Sequence, residues 1–222
     1  MLTVHHLNNS RSQRVLWLLE ELGVPYEIVR YQRQPDMRAP KELRAIHPLG
    51  KSPVITDNGN TVAESGAIVE YLVGAYGNGR FIPAPNTPDR LRYTYWLHYA
   101  EGSAMPPLLM KLLFTLMPKR APALLRPIVR KVSNQALTTL VNPQLKQHMA
   151  FWEEELSKSQ WFAGNDFSAA DIQMSFPLEA AAARGGLEQG HPKSMAFLER
   201  IHARPAYKRA LERGGPYEIG RG

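Results

Sequence analysis

The chain has no cysteine in its 222 residues. That excludes a disulfide framework, Cys-ligated zinc and a thiol nucleophile of its own. Any sulfur chemistry must use a thiol that a ligand brings. The absence suits a reducing compartment, so a cytoplasmic location is expected. Long apolar runs are absent too. No window reaches the ~18 apolar residues of a membrane span; the nearest, residues 105–117, is broken by Pro106, Pro107 and Lys111. That stretch reads as a buried or cleft-lining helix. The first residues, Met1-Leu2-Thr3-Val4-His5-His6, lack a charged region and a long apolar region, so no signal peptide is expected. Histidines show no metal-ligand spacing. His5 and His6 sit on a strand and point to opposite faces, which argues against a metal pair or a dyad.

Acid is in short supply. Lysine and arginine number 27 against 20 aspartates and glutamates, a net charge of +7, which favours anionic partners. The densest basic stretch is residues 119–131, with Lys119, Arg120, Arg126, Arg130 and Lys131 among apolar residues and prolines. It reads as the solvated face of a helical region, and no nucleic-acid partner is expected.

What is present is ordered. Residues 2–7 form a short apolar strand with a β-branched centre. Asn8-Asn9-Ser10-Arg11-Ser12 is a turn into a helix, with Asn and Ser side chains able to cap free N–H groups. Val15, Leu16, Leu18, Leu19 and Leu22 recur at helical spacing, with Glu20 and Glu21 outside. Gly23 ends the helix as a left-handed cap and Pro25 follows. Residues 26–31 alternate as a strand. Residues 32–48 are polar, with a short helix over 41–46. A strand over 52–56, the turn Asp57-Asn58-Gly59-Asn60, a returning strand over 61–63 and a helix over 66–76 complete a β-α-β-α-β-β-α order. That order matches a thioredoxin-like arrangement. Residues 77–89 are rich in Gly, Pro and Asn and read as a linker; beyond them only helical patterns remain. The expected fold class is therefore an α/β thioredoxin-like domain over 1–80 and an all-α helical bundle over 88–222.

Three places carry chemistry. Ser10 stands at a helix N-terminus, where free N–H groups and the dipole stabilise an anion. A hydroxyl there can hold a bound thiol as thiolate, the reactive form; the plain alternative is a capping serine. At Ser52-Pro53, a cis bond would expose the Val54 backbone to an added extended peptide; the plain alternative is a trans proline at an edge. At Glu64-Ser65, a hydroxyl and N–H suit a carboxylate while the acid suits an ammonium; the plain alternative is a cap.

Together the motifs do more than each alone. Asn8-Asn9-Ser10-Arg11-Ser12-Gln13-Arg14-Val15, Leu49-Gly50-Lys51-Ser52-Pro53-Val54 and Glu64-Ser65-Gly66-Ala67-Ile68 resemble the cytosolic glutathione transferase family in order and spacing. Phe167-Ser168-Ala169-Ala170-Asp171-Ile172 is similar to the family's capping box and staple, and Arg204-Pro205-Ala206-Tyr207 to its late-helix signature. The resemblance covers nearly the whole chain. It implies that Ser10 stabilises the glutathione thiolate, with Asn9 and Ser12 as alternatives, since no tyrosine lies in the first turn. It implies a cis Pro53, Val54 pairing with the cysteinyl backbone, Glu64 and Ser65 holding the γ-glutamyl end, and Lys51 meeting the glycyl carboxylate. Arg11 reads as solvated or as added charge near the thiolate. Tyr99, Met105, Pro106, Leu109 and Met110 are candidates for a pocket that takes a small apolar electrophile; methionine repacks readily around varied shapes. The implied activity is conjugation of glutathione, without a metal, in a homodimer. Glutathione-dependent reduction of disulfides or peroxides, or a non-catalytic binding module, are the alternatives on the same fold.

Overall fold

The structure, a computed structural model, describes residues 1–34 and 38–219. Residues 35–37, in the polar segment before the short helix, and 220–222, the end of the expected helical domain, lie outside the described residues. The N-terminal part runs β1 (Thr3–Leu7), α1 (Ser12–Leu22), β2 (Glu27–Tyr31), α2 (Lys41–Ile46), β3 (Val54–Asp57), β4 (Asn60–Ala63) and α3 (Ser65–Tyr76). The strands order as β2-β1-β3-β4. β1 and β2 are parallel, with Val4 opposite Ile28, and α1 supplies the crossover that a parallel pair requires. β3 runs antiparallel to both β1 and β4.

Local chemistry sets the corners. Asn58 and Gly59 both take positive φ (48° and 83°), so the two-residue turn matches the twist of the β3–β4 hairpin. Gly23 closes α1 at φ 70° and ψ 28°. The Ser52–Pro53 bond is cis.

The helical part contains α4 (Pro88–Tyr99), α5 (Met105–Arg120), α6 (Arg126–Ala136), α7 (Asn142–Lys158), α8 (Ala169–Arg184), α9 (Pro192–His202) and α10 (Pro205–Gly214). α4 and α5 form one rod joined by a π-helical turn at Ala100–Ala104; α6 and α7 are joined likewise at Leu137–Val141. Each wide turn is followed by proline, Pro106-Pro107 or Pro143. Proline has no N–H to give and its ring crowds the preceding turn, so the helix widens to absorb it.

α1 was expected to keep one face in water; instead it is the centre of the molecule. Nine of its eleven residues are buried, because α3, α8 and α10 all pack on it. Trp17 is fully buried, edge-on to Tyr207 at 5.2 Å. A second aromatic cluster holds the bundle: Trp96 lies 4.6 Å from Phe162 and 5.2 Å from Phe151, and Phe162 lies 5.0 Å from Phe197. The predicted capping box is present. Asp171 Oδ2 accepts from the Ser168 N–H at 2.8 Å, and its Oδ1 accepts from the Phe162 N–H at 2.8 Å.

Candidate functional site

The turn from β1 into α1 forms one wall. Asn9 sits at φ 50°, a left-handed conformation that asparagine tolerates, and this folds Ser10 back over the helix start. Ser10 Oγ accepts the Ser12 N–H at 3.2 Å, so it caps as well as faces the groove. It also stands 2.8 Å from Ser12 Oγ and 3.3 Å from Ser52 Oγ. Ser12 Oγ in turn lies 2.9 Å from His6 Nδ1. The result is a buried chain from His6 through Ser12 to Ser10 and out to Ser52. Burial, helped by Arg30, pushes His6 down to about 4, against a hydrogen bond with the Gly214 backbone. The ring is therefore neutral at pH 7, and each hydroxyl has one proton to place.

The opposite wall is the bend before β3. Gly50, at φ 55°, makes the turn; a Cβ there would meet Arg44 Cγ at 2.6 Å. The cis bond at Pro53 follows, and Val54 opens β3 with its side chain fully buried. Val54 lies opposite His5 on one side and Ala63 on the other. β3 is an interior strand, so an extended ligand could pair with it only at this entrance.

Two adjoining clefts lie between the walls, of about 390 and 360 Å³. Arg11, Leu49, Lys51 and Ser52 line both. The first also takes Asn9, Ser10, Arg33, Arg38, Arg44 and Phe176, and is strongly cationic. The second takes Pro53, Glu64, Ser65, Glu101 and Leu109.

The floor of the second cleft rests on charges from both parts of the chain. Arg14 is 2% exposed. It donates to Ser65 Oγ at 3.0 Å, to the Gln173 carbonyl at 2.5 Å and to Glu101. Arg11 Nε meets both Glu101 oxygens at 2.9 and 3.0 Å, and its guanidinium lies 4.9 Å from the Phe176 ring centre. Burial pushes the Glu101 carboxyl up, but Arg14 and Arg11 override it and hold it below the ordinary range. Burial pulls Arg14 down, with Glu101 opposing. Glu101 sits in the π-helical turn, where the extra residue re-aims side chains. Glu64 heads α3 at φ 71°, with its side chain exposed beside Ser65.

The structure brings together Ser10, Asn9, Lys51, Pro53, Glu64 and Ser65 around the two clefts. Ser12 is fully buried behind Ser10 and lines neither. The Asn9 carboxamide oxygen accepts the Glu218 N–H at 2.7 Å, so it is turned to the C-terminal segment. Of the apolar-pocket residues, Leu109 reaches the cleft. Tyr99 is buried, accepting from Trp152 Nε1 at 3.1 Å and bonded to His148. Met105 is buried, Met110 packs on the core and Pro106 is exposed away from both clefts. Sequence reasoning missed Arg14, Glu101, Gln173 and Phe176, and it left Arg11 either solvated or as added charge near the thiolate. One signal was available: Arg14 interrupts an otherwise apolar helical stripe, and a cation there needs a buried acid. Among the described residues, no three of His, Asp and Glu stand close enough to hold a metal ion.

This arrangement has close parallels. The family model for the glutathione S-transferase N-terminal domain matches residues 1–74, and that for the C-terminal domain matches residues 105–205. Glutathione S-transferase 3 of Schizosaccharomyces pombe is 39% identical over 96% of this chain and 88% of its own length. Glutathione S-transferase 1 of Saccharomyces cerevisiae is 32% identical over 96% and 95%. The crystal structure of a glutathione S-transferase from Actinobacillus pleuropneumoniae superposes with a TM-score of 0.81 at 31% identity, covering 100% of this chain and 97% of that one. With its thioredoxin-like sheet, its helical second half and these matches, the chain belongs to the glutathione S-transferase family and is a glutathione transferase.

Proposed function

We propose that the protein adds the glutathione thiolate to small hydrophobic electrophiles, with Ser10 as the group facing the sulfur. The observation that carries this is the position of Ser10 Oγ, at the start of α1 and on the wall of the cationic cleft. Hydroxyl and helix terminus both favour negative charge there. In this reading the tripeptide lies extended across the entrance of β3, with its cysteinyl backbone at Val54. Its glycyl carboxylate meets Lys51 in the cationic cleft. Its γ-glutamyl end meets Glu64 and Ser65, the latter held by Arg14. The electrophile enters beside Leu109 and Phe176. The functional unit is a homodimer.

The reaction forms a carbon–sulfur bond and breaks the bond from that carbon to its leaving group, which departs with the electron pair; with an activated double bond, the sulfur adds to one carbon and the other takes a proton from water. The sulfur's proton has left beforehand. One oxyanion-type donor is worth about 3–4 kcal/mol. Ser10→Ala should therefore lower kcat with an aryl halide by roughly 100-fold or more, while calorimetry still shows glutathione binding. Turnover at the parent rate would show that another group faces the sulfur.

A further inference from the structure

The chain's entire charge excess comes from one stretch. Residues 102–152 contain no aspartate or glutamate and seven lysines and arginines. Taking those seven from the 27 in the chain leaves 20, equal to the 20 acids. The same stretch carries an unusual surface. Eight of the thirteen exposed large apolar side chains lie between Leu109 and Leu140. Leu124, at the tip between α5 and α6, is 89% exposed, Ile128 65% and Val132 60%.

The two features share α6, on opposite faces. At 100° per residue, Ile128 and Val132 fall on one face of α6, and Leu125, just before its first residue, continues that line. Arg126, Arg130 and Asn134 fall on the other and, with Lys119 and Phe114 of α5, line a cleft of about 480 Å³. Among the described residues, none of Lys119, Arg120, Arg126, Arg130 and Lys131 pairs with a carboxylate. On α5, Leu113 and Met117 continue, one and two turns on, the line of Leu109 that begins in the glutathione cleft.

We infer that the tip of the α5–α6 hairpin docks on an anionic membrane surface. An apolar helix face backed by a polar face rich in lysine and arginine is the pattern of a helix that lies in the interface plane, with its long cationic side chains reaching lipid phosphates. No described helix is long and apolar enough to cross a bilayer, so the segment rests on the surface. Charge disfavours the other occupants. A second copy meeting this face with its own like face would set cations against cations. Single-stranded nucleic acid wants exposed aromatic platforms, and no exposed apolar residue between Leu109 and Leu140 is aromatic. Docking would bring the row from Met117 through Leu113 to Leu109 against lipid, so an electrophile dissolved in the bilayer has an apolar path to the cleft.

The test is flotation of the full chain with vesicles of phosphatidylcholine alone or with about a third phosphatidylglycerol, whose anionic surface attracts each nearby lysine or arginine by about 1 kcal/mol. Binding is expected to the anionic vesicles only, and to weaken as salt screens the charges. Arg126→Gln/Arg130→Gln/Lys131→Gln should weaken it on the order of 100-fold, at about fivefold per cation. Ile128→Ser/Val132→Ser should weaken it at least about tenfold by removing buried apolar area. Both variants should keep parent turnover on a water-soluble electrophile, which shows that they fold and separates this inference from the transferase reading. Equal binding to neutral vesicles, no binding, or variants that bind like the parent would overturn it. So would a change in sedimenting mass caused by the same variants, which would assign the face to a second copy, or salt-sensitive retention on DNA lost in the same variants.

Discussion

The two ends of α1 both carry arginine–glutamate pairs, yet they do different work. At its C-terminal end Glu21 meets Arg204 at 2.5 Å, and Glu20 meets Arg209 at 2.9 Å and Arg213 at 3.0 Å. Those arginines are 28–50% exposed, and they tether α10. At its N-terminal end Arg14 is 2% exposed, and its partner Glu101 comes from the helical part. Exposed pairs lose most of their attraction to water and salt. A buried cation stripped of its acid keeps its full desolvation cost. The same chemistry is thus fastening at one end and a condition of the site at the other.

The largest effect should come from Glu101→Ala. It leaves Arg14 buried without its acid, and should cost roughly 3–5 kcal/mol of unfolding free energy by denaturant titration. It should also weaken glutathione binding, because Ser65 depends on Arg14. A loss below about 1 kcal/mol would erase the contrast between the two ends.

Asp171 sharpens the contrast from another side, since it is buried and, among the described residues, no cation pairs with it. Burial raises it to about 6, against hydrogen bonds from Phe162 and Ser168. The folded chain then holds the proton more tightly than the unfolded chain. That contribution is full below about pH 4 and is lost as pH rises through 6, by about 3 kcal/mol. Glu101 has the opposite sign: its contribution is present above the unfolded value and lost as pH falls. Asp171→Asn should abolish the first slope, measured as denaturant stability from pH 4 to 7, and leave the second.

Ser12→Ala breaks the hydroxyl chain without touching the cleft. It strips His6 Nδ1 of its partner and should cost about 1–2 kcal/mol. Thiolate absorbance of bound glutathione against pH should shift only slightly, since Ser10 remains; a shift as large as that of Ser10→Ala would make Ser12 the sulfur's partner. The smallest effect is expected from Arg209→Ala, under about 1 kcal/mol in the same denaturation assay.

Much of the fold was legible because it rests on short-range rules. Gly23, Asn58-Gly59 and the Ser168–Asp171 box each satisfy a backbone need within a few residues, so their geometry is written where they stand. Pro53 was half legible: the residue alone favours trans, and only the resemblance implied the cis bond that is present. The pocket was less legible. Leu109 and Met105 share one apolar helix, and which of them meets the cleft depends on the π-helical turn before them. Tyr99 reads equally as a pocket or a core residue until its partners, His148 and Trp152, are in place.

By itself the sequence determined the strand order's local units, the helix ends, the lack of any protein thiol and the polar groups at the three turns, all matters of hydrogen bonding and sterics between near neighbours. Tertiary structure alone decided that Arg14 finds Glu101 across 87 residues, that α10 closes over α1, and that Ser10 rather than Ser12 lines the cleft. The reason is physical: a charge or hydroxyl leaves no local mark of its distant partner, because that partner is chosen by which surfaces the packed core brings together.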